Sequence, residues 1–109
     1  MAKPKPAEVL CTYRPKEGRA SEFLKLLKKH WPTLRAARLA TGSKAVVFRS
    51  VDKNGKTIFV ERFAWKDASV PQIAHQIPSV MALWEPMGQL CEDMTFWTVV
   101  RVPMPFDMS

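Results

Sequence analysis

Two histidines, His30 and His75, are the side chains of this 109-residue sequence whose charge changes near neutral pH. An imidazole can take a proton from a phenol or quinol hydroxyl. His30 stands beside Trp31 at the end of a lysine-rich helical stretch, where a protonated histidine suits the helix dipole, so no chemistry is assigned to it. His75 either faces a cavity as an acid–base group or packs beside a helix and bonds a backbone carbonyl. Trp65, Trp84 and Trp97 supply aromatic surface for a flat, apolar ligand, or else fill the core and an interface. Glu61 and Arg62 are neighbours on one strand and must point to opposite faces. One of them therefore points inward, where an unpaired charge is costly, as a buried ion pair or a polar ligand anchor. The sequence leaves open which one it is. Cys11 and Cys91 lie on different elements without Cys-x-x-Cys spacing, and no metal-ligand pattern exists; both are expected as buried free thiols. No glycine-rich phosphate loop and no Ser-His-Asp set occurs, so neither a nucleotide, a flavin nor a metal is expected.

The elements that must position these residues follow from periodicity. Ala7 to Arg14 alternates and stops at Pro15, a strand, and Pro15 to Gly18 is a turn. From Arg19 the spacing becomes helical, with Ala20, Phe23, Leu24, Leu27, Trp31 and Leu34 on one stripe. Pro32 breaks this helix near His30 and fits the first turn of a second piece. Gly42 is expected in the left-handed position after it. Lys44 to Val51 and Ile58 to Trp65 are strands joined by a loop containing Asn54-Gly55, a hairpin signature. Asp67 caps a short helix over 68–77, and Pro78 opens a longer one whose apolar spacing runs through Pro86, giving a kink rather than a stop. A last strand is expected over Thr95 to Val102, followed by an extended proline-rich tail over 103–109. The order β-α-β-β-α-β is the ferredoxin-like arrangement of the α+β class. It forms a four-stranded antiparallel sheet with helices on one face. Both faces of these strands are apolar, so a second copy packing sheet on sheet is expected to cover the face the helices leave open.

The composition fits a single domain over 1–109, with its core in 7–102: 47% hydrophobic and 25% charged residues exclude a disordered chain. No apolar run approaches membrane-spanning length, no secretory signal is expected at the start, and two cysteines suit a reducing compartment; a cytoplasmic protein without a membrane partner is expected. The net charge of +7 raises the question of an anionic partner, but the lysines are spread over tail, turns and one helix face, as on a solvated surface.

The run Val60-Glu61-Arg62-Phe63-Ala64-Trp65-Lys66-Asp67, then His75 on a short helix, then Pro78-Ser79-Val80 opening a longer one, resembles the dimeric α+β barrel superfamily. Within it the chain looks like the antibiotic-biosynthesis-monooxygenase-like proteins. The resemblance covers roughly residues 7–102 and rests on a tryptophan ending the third strand with a histidine about ten residues on. It implies a homodimer with a small-molecule cavity between each sheet and its helices or loops. Activities in that superfamily include cofactor-independent oxygenation, haem degradation, lactone isomerisation and simple ligand binding, so the site must decide. The haem-degrading branch has an asparagine, a tryptophan and a histidine where this sequence has Cys11, Ala74 and Trp84; none matches, and haem is not expected. The resemblance thus implies a cofactor-independent monooxygenase or related enzyme for a small aromatic or quinol-like substrate. His75 is its candidate base, Trp65, Trp84 and Trp97 are its walls, and Glu61 or Arg62 is a polar anchor. The alternative is a non-enzymatic ligand-binding or stress-type barrel. A more remote one is an RNA-binding module, which the glycine-free strand around Glu61 disfavours because RNA-recognition sheets carry a Lys/Arg-Gly-aromatic signature there.

Overall fold

The computed structural model describes residues 5–105. Its elements are β1 (Ala7–Pro15), α1 (Ala20–Leu27), α2 (His30–Ala36), β2 (Val46–Val51), β3 (Thr57–Trp65), α3 (Val70–Ala74), α4 (Pro78–Gln89) and β4 (Cys91–Thr98). The four strands form one sheet in the order β2-β3-β1-β4, with every neighbouring pair antiparallel. This is the ferredoxin-like α+β architecture expected from the element order.

Alternation decides what each strand buries. Val9, Cys11 and Tyr13 of β1 and Phe59, Glu61, Phe63 and Trp65 of β3 are buried on the helix side. Their cross-strand pairs Val9–Phe63, Cys11–Glu61 and Tyr13–Phe59 share that face. The helices bring Phe23, Leu27, Leu34, Val80, Leu83 and Met87 to meet them. The opposite face carries Leu10, Val60, Phe48 and Trp97, and no helix among the described residues lies over it. No helix among the described residues is long and apolar enough to cross a membrane.

The breaks fall where local chemistry puts them. Pro32 sits in the first turn of α2, and the interruption between α1 and α2 is at Lys28-Lys29. α4 passes through Pro86 without ending. In the β2–β3 hairpin the Gly55 N–H donates to the Asp52 carbonyl and Gly55 alone takes a positive φ of 79°, so the turn is a type I turn closed by a left-handed glycine.

Three local expectations change. The short helix is Val70–Ala74 with Ser69 and not Asp67 at its N-cap, because the Asp67 carboxylate accepts from the Ser69 N–H and hydroxyl in the turn before it. The left-handed residue after α2 is Arg38 (φ 63°) and not Gly42. The Arg38 N–H donates to Arg35 and the Leu39 N–H to Leu34, the paired bonds of a Schellman cap, so the left-handed position falls four residues before the glycine. The last strand is Cys91–Thr98 and not 95–102. It starts as soon as α4 ends and pairs with β1 as far as Val9–Thr98, and after a last bond from the Val99 N–H to the Glu8 carbonyl the chain leaves the sheet. Val100 and Val102 are therefore exposed and outside any strand, and of the expected extended tail the residues from Phe106 on lie outside the described residues.

Candidate functional site

β1, β3 and β4 on one side and α2, α3 and α4 on the other enclose a cavity of about 340 Å³. Its walls are Val9, Phe63 and Trp65 from the central strands, Met94, Phe96 and Thr98 from β4, and His30, Pro71, His75 and Trp84 from the helical side. Trp97 also borders it, although its pairing with Leu10 sets it on the sheet's open face. Apolar and aromatic carbon dominates the lining, and the imidazoles supply its titratable groups, the composition of a site for a small aromatic molecule.

Local structure fixes each aromatic wall. Trp65 ends β3, and the segment after α2 holds it: Ala40 bridges to Trp65, the Thr41 N–H donates to Ala64 and the Lys66 N–H to Leu39. Its ring meets Phe63 edge-on at 4.9 Å and Trp84 at 6.3 Å. Trp84 in turn receives the His75 ring edge-on at 5.0 Å.

Behind this wall runs a buried hydrogen-bonded chain. The Tyr13 hydroxyl donates to Glu61 Oε1 at 2.7 Å, His30 Nδ1 lies 2.8 Å from the same oxygen, and the Trp84 indole N–H donates to His30 Nε2 at 2.9 Å. An indole N–H only donates, so His30 Nε2 is an acceptor, and the proton of the neutral ring is on Nδ1, donated to Glu61. His30 is 2% exposed and Glu61 0%, and Glu61 Oε2 is buried without a partner among the described residues. Burial first, and the negative charge of Glu61 second, push the Cys11 thiol up to about 12 and the Tyr13 phenol well above its ordinary value. The imidazole thus stands between an apolar cavity and a buried carboxylate, which fixes its tautomer. A group so held can accept a proton at Nε2.

The structure distributes the expected site residues unevenly. Trp65, Trp84, Trp97 and His75 all border the cavity. His75 is exposed at the end of α3 and makes no side-chain hydrogen bond among the described residues. Of the strand neighbours, Glu61 is the inward one and reaches the cavity through His30. Arg62 is exposed on the open face and paired with Glu8, away from the cavity. His30 and Tyr13, passed over in the sequence, complete the buried chain. A signal for His30 was present: Phe23, Leu27, His30 and Leu34 are spaced four, three and four residues apart, so the histidine falls on the apolar stripe. Cys11 and Cys91 are both free thiols and buried, and no cluster of potential metal ligands occurs among the described residues.

The backbone has well-matched counterparts. PA3566 from Pseudomonas aeruginosa superposes with a TM-score of 0.71 at 13% identity, over 94% of this chain and all of that one. An antibiotic biosynthesis monooxygenase matches at 0.67 with 20% identity, covering 88% of this chain and 98% of its own. SnoaB from Streptomyces nogalater, a cofactor-independent oxygenase, matches at 0.62 with 19% identity over 91% and 98%. The chain has the fold of the antibiotic-biosynthesis-monooxygenase-like proteins. No family sequence model matches it, and no curated protein sequence pairs with it. At such identities the likeness carries the architecture, and the chemistry has to come from this chain's own residues.

Proposed function

We propose that the protein is a cofactor-independent oxygenase for a small hydroxylated aromatic or quinol-like substrate. The observation that carries this reading is a neutral imidazole, His30, backed by the buried Glu61 carboxylate and set in the wall of a tryptophan-lined cavity. The fold shared with SnoaB, itself a cofactor-independent oxygenase, supports it. In this reaction the substrate hydroxyl gives its proton to His30 Nε2, and the resulting electron-rich anion reacts at ring carbon with dioxygen. One oxygen atom becomes a new ring carbonyl; the other leaves as water with the hydroxyl and ring hydrogens. The phenol is oxidised to a quinone, and dioxygen is the four-electron acceptor. The protein supplies a base, apolar walls and exclusion of water. His30 is favoured over His75 as the base because it has the carboxylate partner. His75, at the cavity mouth, orients the substrate.

Oxygen uptake with a panel of quinols, phenols and anthrone-like compounds tests the reading. Turnover is expected with at least one class, and His30→Ala should lower kcat by about 10²-fold or more, the usual scale for a general base, while His75→Ala acts chiefly on KM. Full turnover by His30→Ala would overturn the assignment. A second reading, ligand binding without chemistry, draws on the Trp84 N–H that occupies Nε2. It predicts thermal stabilisation by the same aromatics and no oxygen consumption.

A further inference from the structure

The atom that would act as base is already in use. Trp84 Nε1 lies 2.9 Å from His30 Nε2, and no second acceptor lone pair remains on the imidazole, whose Nδ1 proton is committed to Glu61. Trp84 is itself half-buried, borders the cavity, and packs its indole against Trp65 on one side and His75 on the other. A ligand reaching His30 must therefore take the place of the indole N–H. A hydroxyl can do so, because it brings its own donor to Nε2. An ether or a hydrocarbon cannot, because displacing the indole would leave a buried acceptor unpaired, which is the expensive outcome.

We propose that Trp84 is a hydrogen-bond latch on His30, released by ligands that carry an aromatic hydroxyl and kept closed by those that do not. The latch makes Trp84 a specificity-determining residue as well as a wall. It rests on the reading of the cavity as a hydroxyaromatic site but requires no turnover, so the two can fail separately. In the latched state a hydroxyl exchanges one hydrogen bond for another and gains little. With the indole N–H removed, the same hydroxyl gains the whole bond.

The test uses 1-naphthol and 1-methoxynaphthalene, which share the ring and differ in the donor, with the full chain and its Trp84→Phe variant. Phenylalanine keeps an aromatic wall and removes the N–H. The ratio of the two dissociation constants, ether over naphthol, should rise about five-fold in Trp84→Phe, the scale of one net hydrogen bond. In the ¹⁵N-labelled wild type, naphthol should shift the Trp84 indole N–H and His30 Nε2 signals and the ether should leave both in place. If both compounds bind and the ratio is unchanged or falls, Trp84 is a wall only and the latch is wrong. If neither compound binds either protein, the aromatic-site reading fails and the latch with it. A raised ratio without oxygen uptake upholds the latch and removes the oxygenase. Should Trp84→Phe fail to fold, the wild-type spectra decide alone, with naphthol leaving both signals unmoved as the refuting result.

Discussion

Glu61 is the residue on which most of the local electrostatics turns. A carboxylate with no exposure is tolerated when hydrogen bonds replace its lost water, and here Tyr13 and His30 replace it on one oxygen only. The residual charge reaches Cys11, its cross-strand partner, and adds to burial in raising that thiol from 9.0 to about 12. Between those two values the unfolded chain has lost the Cys11 proton and the folded chain retains it, so the folded state binds more protons. Stability is therefore fully present below pH 9 and falls as pH rises, by up to about 1.4 kcal/mol per pH unit from this one group. Cys11→Ala removes that contribution. Urea unfolding at pH 8, 9.5 and 10.5 should give a visibly flatter decline for the variant than for the wild type; parallel declines would mean that Cys11 titrates normally. At this scale the sequence was half legible. Adjacent charges on a strand announce that one points inward, but only the register, with Glu61 between Phe59 and Phe63 on the buried face, selects it. The His30–Trp84 bond joins residues 54 positions apart and has no sequence signature.

The elements were far more legible than the site, because alternation, helical spacing and Asn-Gly are local signals and most of this fold is built from local signals. Where expectation missed, a neighbouring element overrode the local pattern. β4 begins at Cys91 because β1 continues to Pro15 and can pair that early, and its bonding to β1 closes with the Val99 N–H on the Glu8 carbonyl, near the start of β1. Gly42 invites a left-handed cap, yet α2 finishes earlier because Leu39 and Ala40 must be buried, and the cap falls on Arg38. A left-handed conformation costs an ordinary L-residue on the order of 1 kcal/mol relative to glycine. Arg38 is exposed and makes no side-chain hydrogen bond or ion pair among the described residues, so nothing offsets that cost. Arg38→Gly should stabilise the protein by about 0.5–1 kcal/mol, raising the thermal midpoint by a few degrees for a chain of this size. A lower midpoint in a calorimetric scan would show that the arginine side chain does more than the cap geometry suggests.

For the molecule as a whole, the helices settle only half of the sheet. Phe48 on β2 and Trp97 on β4 are 58% and 51% exposed at opposite edges, and Val60 and Leu10 connect them across β3 and β1, so one apolar band crosses the full width of the open face. Soluble monomers seldom leave a continuous patch of that kind in water. A second copy is the occupant that requires no other partner, and a two-fold axis lets the same band cover itself. Stacked sheets bury roughly 800 Å² or more per partner, and at about 25 cal/mol per Å² of apolar area the gross gain exceeds ordinary association costs. The ionic pair Glu8–Arg62 joins neighbouring strands β1 and β3 on this face and compensates charges that such packing would desolvate. We expect sedimentation at micromolar concentration to give twice 12.4 kDa, about 25 kDa. Phe48→Glu places an uncompensated carboxylate at the β2 end of the band and should weaken association by about 100-fold or more, because a buried unpaired charge costs several kcal/mol, while the helix-side cavity keeps its aromatic ligands. A wild-type mass of 12.4 kDa at those concentrations would mean that the band is tolerated in water or reserved for a different partner.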